Sequence, residues 1–422
     1  MAGKKTQTPS DATAGGLFFG WKVVAAAFTI TFLSAGLNVH GLSVFLQVLH
    51  AERGWPISLI SSAITAHFLV SALTVTGLAD AYRRFGVATI TRAGVMSTAL
   101  GVIGWAVAAR PWGLFGAAVL TGVGWATASA AAINSMVAPW FNRRRPTALG
   151  HALNGISVAG IVFVPLWIGL INHVGLAVGA AAMGATTLVV TWRLSGQFLH
   201  LTPAALGLAP DGHRLPPTTD APPVIRSAAA AGAVVANRRF VTLSAAFALG
   251  NFAQMGLLAH LLARLVPILG TDGAAAAVSL SAICAVAGQL LLAHFVGAVD
   301  PRVVAAGNFT MQAFGVTLLA FGSNGAILSA GAILFGLGLG NLVLLPPLIV
   351  QAEFEAADAA RVAGLVIAVS QATFAFGPAC IGVLRDLSGG YSVAFFSAVL
   401  MQVVSAMTVL IGRGKPRAWG AA

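Results

Sequence analysis

The sequence predicts an all-α polytopic membrane protein, and three observations carry that reading. First, 58% of its 422 residues are hydrophobic and only 8% are charged, with a mean hydropathy of +0.90. A soluble domain is nearer half apolar and a quarter charged, and one globule cannot bury so much apolar surface. Second, the apolar residues fall in repeated runs of about 20 or more, the length of a spanning helix. They lack the alternation of barrel strands. Third, most of the basic residues fall in links on one side.

The runs place twelve helices at roughly 22–48, 57–79, 87–109, 112–138, 147–171, 176–198, 240–268, 274–298, 303–322, 325–350, 361–384 and 391–411. A polar, Pro-rich stretch separates the sixth from the seventh. The chain thus divides into a tail (1–20), a six-helix bundle (21–198), a linker (199–239), a second six-helix bundle (240–411) and a second tail (412–422).

Charge tests the layout. With the N-terminus in the cytoplasm, only Arg53, Arg110, Arg264 and Arg385 of the 23 Lys and Arg fall outside. The rest, including Lys4, Lys5, Arg214, Arg226, Arg302, Lys415 and Arg417, fall inside, as cytoplasmic links require. Both termini are then cytoplasmic, and the net charge of +12 marks topology, with no nucleic-acid partner. Cys284 and Cys380 lie within apolar runs and read as small core residues. The polar N-terminus shows no cleavable signal, and the first apolar run is long enough to span. No metal-spaced cluster, Ser/His/acid set or Cys/His set appears, so neither a metal, a cofactor nor enzymatic catalysis is expected.

The halves repeat each other. Gly122 and Gly124 match Gly336 and Gly338; Gly150, Pro165 and Gly169 match Gly364, Pro378 and Gly382, at an offset of 213–214 residues. In the first and seventh helices Gly36, His40 and Leu49 match Gly256, His260 and Leu269. Such repeats place a solute site at their interface, near mid-membrane. The run FGLGLGN ending at Asn341 follows no strand; its glycines suit close helix packing and not a nucleotide. Pro346 and Pro347 should bend the same helix.

One link carries a more specific pattern. GLADAYRRFG sets Gly77, Asp80, Arg83, Arg84 and Gly86 between the second and third helices. It is similar to the loop signature of the major facilitator superfamily of secondary transporters. WFNRRRPTALGHALNG, TWRLSGQFL and LGLAPDG resemble the monocarboxylate porter and oxalate/formate antiporter branch. The resemblance implies two pseudo-symmetric six-helix bundles, with helices one and seven lining a central cavity. It also implies a small-molecule substrate, a lipid bilayer around the chain, a bacterial inner membrane and a monomer. Where monocarboxylate porters carry a cation in helix eight, this chain has Gln289. The G-P-x-x-G-G pattern of many drug antiporters is absent from helix five.

Within that frame the candidate substrate-binding residues are His40, Asn38, Trp125, Asn134, Gln254, His260, Arg264 and Asn341. His40 and His260 lie roughly 18–20 residues into their helices, about 27–30 Å along, and the resemblance lets them approach across the pseudo-twofold axis. Neutral, they hydrogen-bond; protonated, they attract an anion and couple transport to H⁺. Either would equally serve helix packing. Arg264 follows His260 by one turn on the same face, where it draws in an anion, gates, or snorkels to headgroups. Trp125 offers an apolar wall; the amides bind solute or glue helices together. Gly77, Asp80, Arg83, Arg84 and Gly86 are read as a gating element. Asp80 is expected to pair with a base or cap a helix start across the halves.

All 11 acids fall in links or at helix ends, which disfavours a carboxylate relay or a cation site. The expected function is therefore alternating-access transport of a small organic anion, H⁺-coupled or by anion exchange. Efflux of an amphipathic drug-like compound and a non-transporting receptor on the same fold are the alternatives.

Overall fold

The computed structural model describes residues 18–212, 237–295 and 299–413, which form fifteen α-helices and no strand. Most of both tails, linker segment 213–236 and the charges at Lys4, Lys5, Arg214, Arg226, Lys415 and Arg417 lie outside the described residues. The first half holds α1 (Phe19–Ala35), a π-turn (Gly36–His40), α2 (Gly41–Arg53), α3 (Ile57–Phe85), α4 (Val87–Val107), α5 (Pro111–Ala126), α6 (Ala130–Val137), α7 (Arg145–Val174) and α8 (Leu176–Phe198). The second holds α9 (Arg238–Phe295), α10 (Pro301–Phe321), α11 (Gly325–Leu339), α12 (Asn341–Glu353), α13 (Ala356–Phe374), α14 (Gly377–Ser388) and α15 (Tyr391–Ile411). Among the described residues, 11 continuous helical stretches are long and apolar enough to cross a membrane.

Local chemistry sets the ends. Ser129, Asp300 and Asn324 cap α6, α10 and α11, each accepting a first-turn N–H. Gly86 alone joins α3 to α4 (φ 81, ψ 150), and Gly175 alone joins α7 to α8 (φ 81, ψ 165). Only glycine enters that region readily. Gly270 (φ 69, ψ 175) breaks α9 the same way. Unbroken, its 58 residues would run about 87 Å, far beyond a hydrocarbon core of about 30 Å.

Four runs expected to be continuous are interrupted. The first contains the π-turn; the fourth breaks between α5 and α6, the tenth between α11 and α12, and the eleventh between α13 and α14. In the tenth, the break falls at Gly340, upstream of the two prolines, which stay inside α12. A proline ring clashes with the carbonyl four residues earlier and leaves it without a donor. Those carbonyls belong to Leu342 and Val343, inside α12 and past the break, so the prolines do not themselves place it at Gly340.

Three apolar cores organise the packing. Phe19, Val23, Ile133, Trp140 and Ala148 build one from the first half alone. Phe240, Phe247, Phe309, Ile349 and Val362 build another from the second half alone. Both lie at the end rich in basic residues. At the opposite end one core serves both halves, with Phe45, Ile64, Trp105 and Trp167 beside Leu257, Leu265, Val278 and Phe395. There α3 packs on α14, and α7 and α2 pack on α9. Ser58 N–H donates to Asp386 Oδ2 (2.7 Å), Ala379 N–H to Thr65 Oγ1 (3.1 Å) and Ser279 Oγ to Ile161 O (3.0 Å). The halves are thus sealed at one end and keep separate cores at the other.

Candidate functional site

The helix breaks gather the buried polar side chains. At the α11/α12 break, four amides donate to four consecutive carbonyls. Asn341 Nδ2 meets Leu337 O (3.2 Å), Asn308 Nδ2 meets Gly338 O (3.3 Å), Gln254 Nε2 meets Leu339 O (2.9 Å) and Gln289 Nε2 meets Gly340 O (3.2 Å). Asn341 also donates to Asn308 Oδ1 (3.0 Å), and Gln402 to Gln312 Oε1 (3.1 Å). A Cβ at Gly338 would strike the Gln312 amide, and one at Gly340 the Gln289 amide. Gly338 and Gly340 of FGLGLGN therefore admit side-chain amides to a broken backbone, while Gly336 packs close against the Ser281 backbone. Gln289, at the place of the porters' cation, belongs to this cradle. Gln254 Oε1, Asn341 Oδ1, Gln312 Nε2 and Gln402 Oε1 stay buried without a protein partner.

The α5/α6 break is its counterpart, and hydroxyls replace the amides. Thr127 Oγ1 donates to Gly124 O and Ser129 Oγ to Ala126 O, both at 2.8 Å. A Cβ at Gly124 would collide with Thr98 Oγ1. Asn38 Nδ2 donates to Ser34 O (2.9 Å) and approaches Thr98 Oγ1 (3.5 Å), leaving its Oδ1 buried and unpartnered. Trp125, in the last turn of α5, packs partly buried against both neighbouring cores.

The two candidate imidazoles do not meet; each bonds a backbone carbonyl within its own half. His40 Nε2 donates to Ile156 O on α7 (3.3 Å). His260 Nε2 donates to Pro378 O on α14 (2.9 Å), and its Nδ1 accepts from the Tyr391 hydroxyl (3.2 Å). A carbonyl can only accept, so the Nε2 proton follows in both. His40 also stands at the seam, because a Cβ on Gly160 would lie 2.8 Å from its Cε1 and 2.9 Å from Ala282 Cβ. The π-turn that carries it is held at its start by Trp167 Nε1 on Gly36 O (3.1 Å). Such turns recur at functional sites.

Arg264 donates to Leu319 O and Gly322 O, both at 2.8 Å, and lines a cavity of about 330 Å³ at the sealed end. Gln47, His50 and Ile57 come to this cavity from the first half; Arg385 and Tyr391 join Arg264 from the second. Asn134 lies apart: it accepts from Arg145 Nη2 (2.8 Å) and ties α6 to the start of α7.

The expected gating link is organised differently from its sequence reading. Asp80 pairs with Arg83 on its own helix, and the two side chains are 75% and 76% exposed. The acid that caps a helix start across the halves is Asp386, at the opposite end. Arg84 lies over the Phe85 ring, Gly77 sits in mid-helix with open space beside it, and Gly86 makes the α3/α4 reversal. Two further segments meet in space. The Asp211 carboxylate of LGLAPDG accepts from the backbone N–H groups of Asn142, Arg143 and Arg144 in WFNRRR (3.1, 2.9 and 3.4 Å).

Arg302, read from sequence as a charge in a link, is fully buried. Asn308, Gln312 and Gln402 also escaped the sequence reading. Each is an amide within an apolar run, Asn308 and Gln312 in the same one, and that was the signal available.

A sequence model of the Major Facilitator Superfamily matches residues 24–378. The chain belongs to this superfamily. Among its relatives, Monocarboxylate transporter 11 of Mus musculus is 29% identical over 412 residues, covering 92% of this chain and 86% of the mouse protein. The Homo sapiens protein of that name is 29% identical over 410 residues, covering 92% and 82%. Two solved transporters share the superfamily's fold with it. A bacterial homolog of the human lysosomal transporter Spinster, inward-facing and occupied, superposes with a TM-score of 0.69 at 15% identity, over 94% of this chain and 97% of that one. The nucleoside transporter NupG gives 0.70 at 13% identity, over 94% and 99%. The chain is an integral membrane transporter of the superfamily.

Proposed function

We propose that this transporter carries a small organic anion, of the monocarboxylate or dicarboxylate class, by alternating access, either H⁺-coupled or in exchange for another anion. The observation that carries the reading is the matched pair of breaks at α5/α6 and α11/α12. Interrupted helices at corresponding positions of two halves mark solute sites in secondary transporters. Every side chain bonded to the two breaks is an amide or a hydroxyl, an uncharged set that holds a solute by hydrogen bonds. The relatives named monocarboxylate transporters support the same class.

In this reading Asn38, Gln254 and Asn341 face the solute and Trp125 gives it an apolar wall. His40 and His260 stand beside the path, and Arg264 meets the anion near the sealed end. Asn134, with Gly77, Asp80, Arg83, Arg84 and Gly86, works at the basic-rich end, where the halves part. With α9 crossing twice about Gly270, the chain makes twelve crossings as two six-helix bundles, 21–198 and 240–411, joined by 199–239. Both termini are cytoplasmic, in a bacterial inner membrane, and the protein works as a monomer. The sealed end then faces outward, and the structure is the inward-facing state.

Thermal melting of the purified full-length protein against a panel of carboxylates and neutral metabolites tests this reading. A bound ligand raises the melting temperature. A carboxylate that stabilises the parent and Arg385→Gln but not Asn341→Leu supports it. Stabilisation by neutral metabolites alone overturns it.

A further inference from the structure

We propose that the cavity at the sealed end is a second binding site, for a small organic carboxylate, separate from the groups at the helix breaks. At about 330 Å³ it lies at the small end of ligand cavities. Two guanidinium groups line it, Arg264 and Arg385. Arg385 pairs with Asp386 at 2.9 Å, so one charge is balanced. Arg264 has backbone carbonyls as its hydrogen-bond partners, and among the described residues no ion pair neutralises it. A cation beside low-dielectric walls attracts a counter-ion strongly. Arg385 also stacks its guanidinium over the Tyr391 ring, 5.8 Å from the centroid, which holds it at the cavity wall. Ile57, Pro267 and the Tyr391 ring supply apolar surface for the rest of such a molecule.

The walls come from both halves, so the site exists only while this end is closed. A ligand that binds one conformation shifts the population toward it. An external carboxylate therefore holds the end shut and slows the transport cycle. The site needs no particular solute at the helix breaks, and it stands whether or not the protein transports carboxylates.

Thiol labelling of a Gln47→Cys variant of the full chain in proteoliposomes tests it, with benzoate as the probe. The parent, carrying Cys284 and Cys380, gives the background. The introduced thiol should react about tenfold faster with an anionic methanethiosulfonate reagent than with a cationic one. Benzoate at ten times its Kd should slow the anionic reagent about tenfold. Both effects should disappear when Arg264→Gln or Arg385→Gln is added. Equal rates for the two reagents, absence of protection, or protection that survives both arginine changes would each overturn the proposal. Melting of the protein with Gln47 intact gives an independent reading. The rise produced by benzoate should persist in Asn341→Leu and vanish in Arg385→Gln; the reverse pattern places benzoate at the helix breaks instead. Neither assay measures flux, so failure of this site and failure of the transport reading are told apart.

Discussion

The Arg302 guanidinium and the Glu353 carboxylate form a two-point ion pair, with Nε to Oε1 at 2.5 Å and Nη2 to Oε2 at 2.9 Å. Arg302 also donates to Thr242 Oγ1, Val409 O and Arg239 O. One buried side chain thereby ties α9, α10, α12 and α15 together at the basic-rich end. Removing one partner of a buried pair strands the other charge and costs about 3–5 kcal/mol. Glu353→Leu should lower stability by that amount in chemical denaturation, and adding Arg302→Met should recover part of it. A loss below about 1 kcal/mol, as exposed pairs give, would contradict the clamp.

Gly77 and Gly86 share one sequence motif and differ in physical role. Gly86 sits at φ 81, where an added Cβ is strained, while Gly77 is helical and a Cβ added there would meet nothing within 4 Å. Gly86→Ala should destabilise by about 1–3 kcal/mol. Gly77→Ala should be neutral or stabilising by about 0.5–1 kcal/mol. Melting curves of the two variants check the pair; equal losses would show that Gly77 also makes a contact essential to the fold.

Asp80 and Asp386 divide the task that sequence alone assigned to Asp80. Asp80 is exposed and paired within its own helix, so Asp80→Asn should leave the melting temperature unchanged while slowing transport. A melting loss that tracks the flux loss would make the acid structural. Asp386 accepts the Ser58 N–H at the first turn of α3, across the halves, where the helix dipole favours a negative charge. Asp386→Asn should weaken the seal and increase labelling of single cysteines at that end by an external thiol reagent. Unchanged labelling would show that apolar packing alone keeps the halves closed.

His40 and His260 each hydrogen-bond a carbonyl in their own half. If they also carry protons during the cycle, His40→Ala and His260→Ala should each weaken the response of transport to a transmembrane pH gradient. Flux measured with and without the gradient decides this. An unchanged gradient response in both variants leaves the imidazoles as packing groups and favours anion exchange.

The helical membrane fold was legible because hydrophobic run length is written in consecutive residues, and so was the internal repeat. The helix breaks were not. The break at Gly340 is met by amides from α9 and α10, which sequence does not place beside it. Gln289 was read only as the absence of a cation, because its partner, Gly340 O, lies on another helix. The expectation that His40 and His260 approach each other rested on pseudo-symmetry. Symmetry does place each on an equivalent pair of helices, yet the pairing lies within each half. Arg264 was legible as a cation near a helix end; that Arg385 and Tyr391 complete its cavity depends on the packing of α9 against α14 and α15.

Uptake of a radiolabelled carboxylate, pyruvate or oxalate, into proteoliposomes tests the central claim most directly. The protein should give saturable uptake of at least one of them, accelerated by an inward proton gradient or by unlabelled anion inside. Asn341→Leu should reduce that uptake by at least about tenfold, the effect of losing roughly 1.4 kcal/mol of interaction, while the protein remains folded. Absence of carboxylate uptake under both driving conditions, with extrusion of an amphipathic dye by the same preparation, would contradict the account.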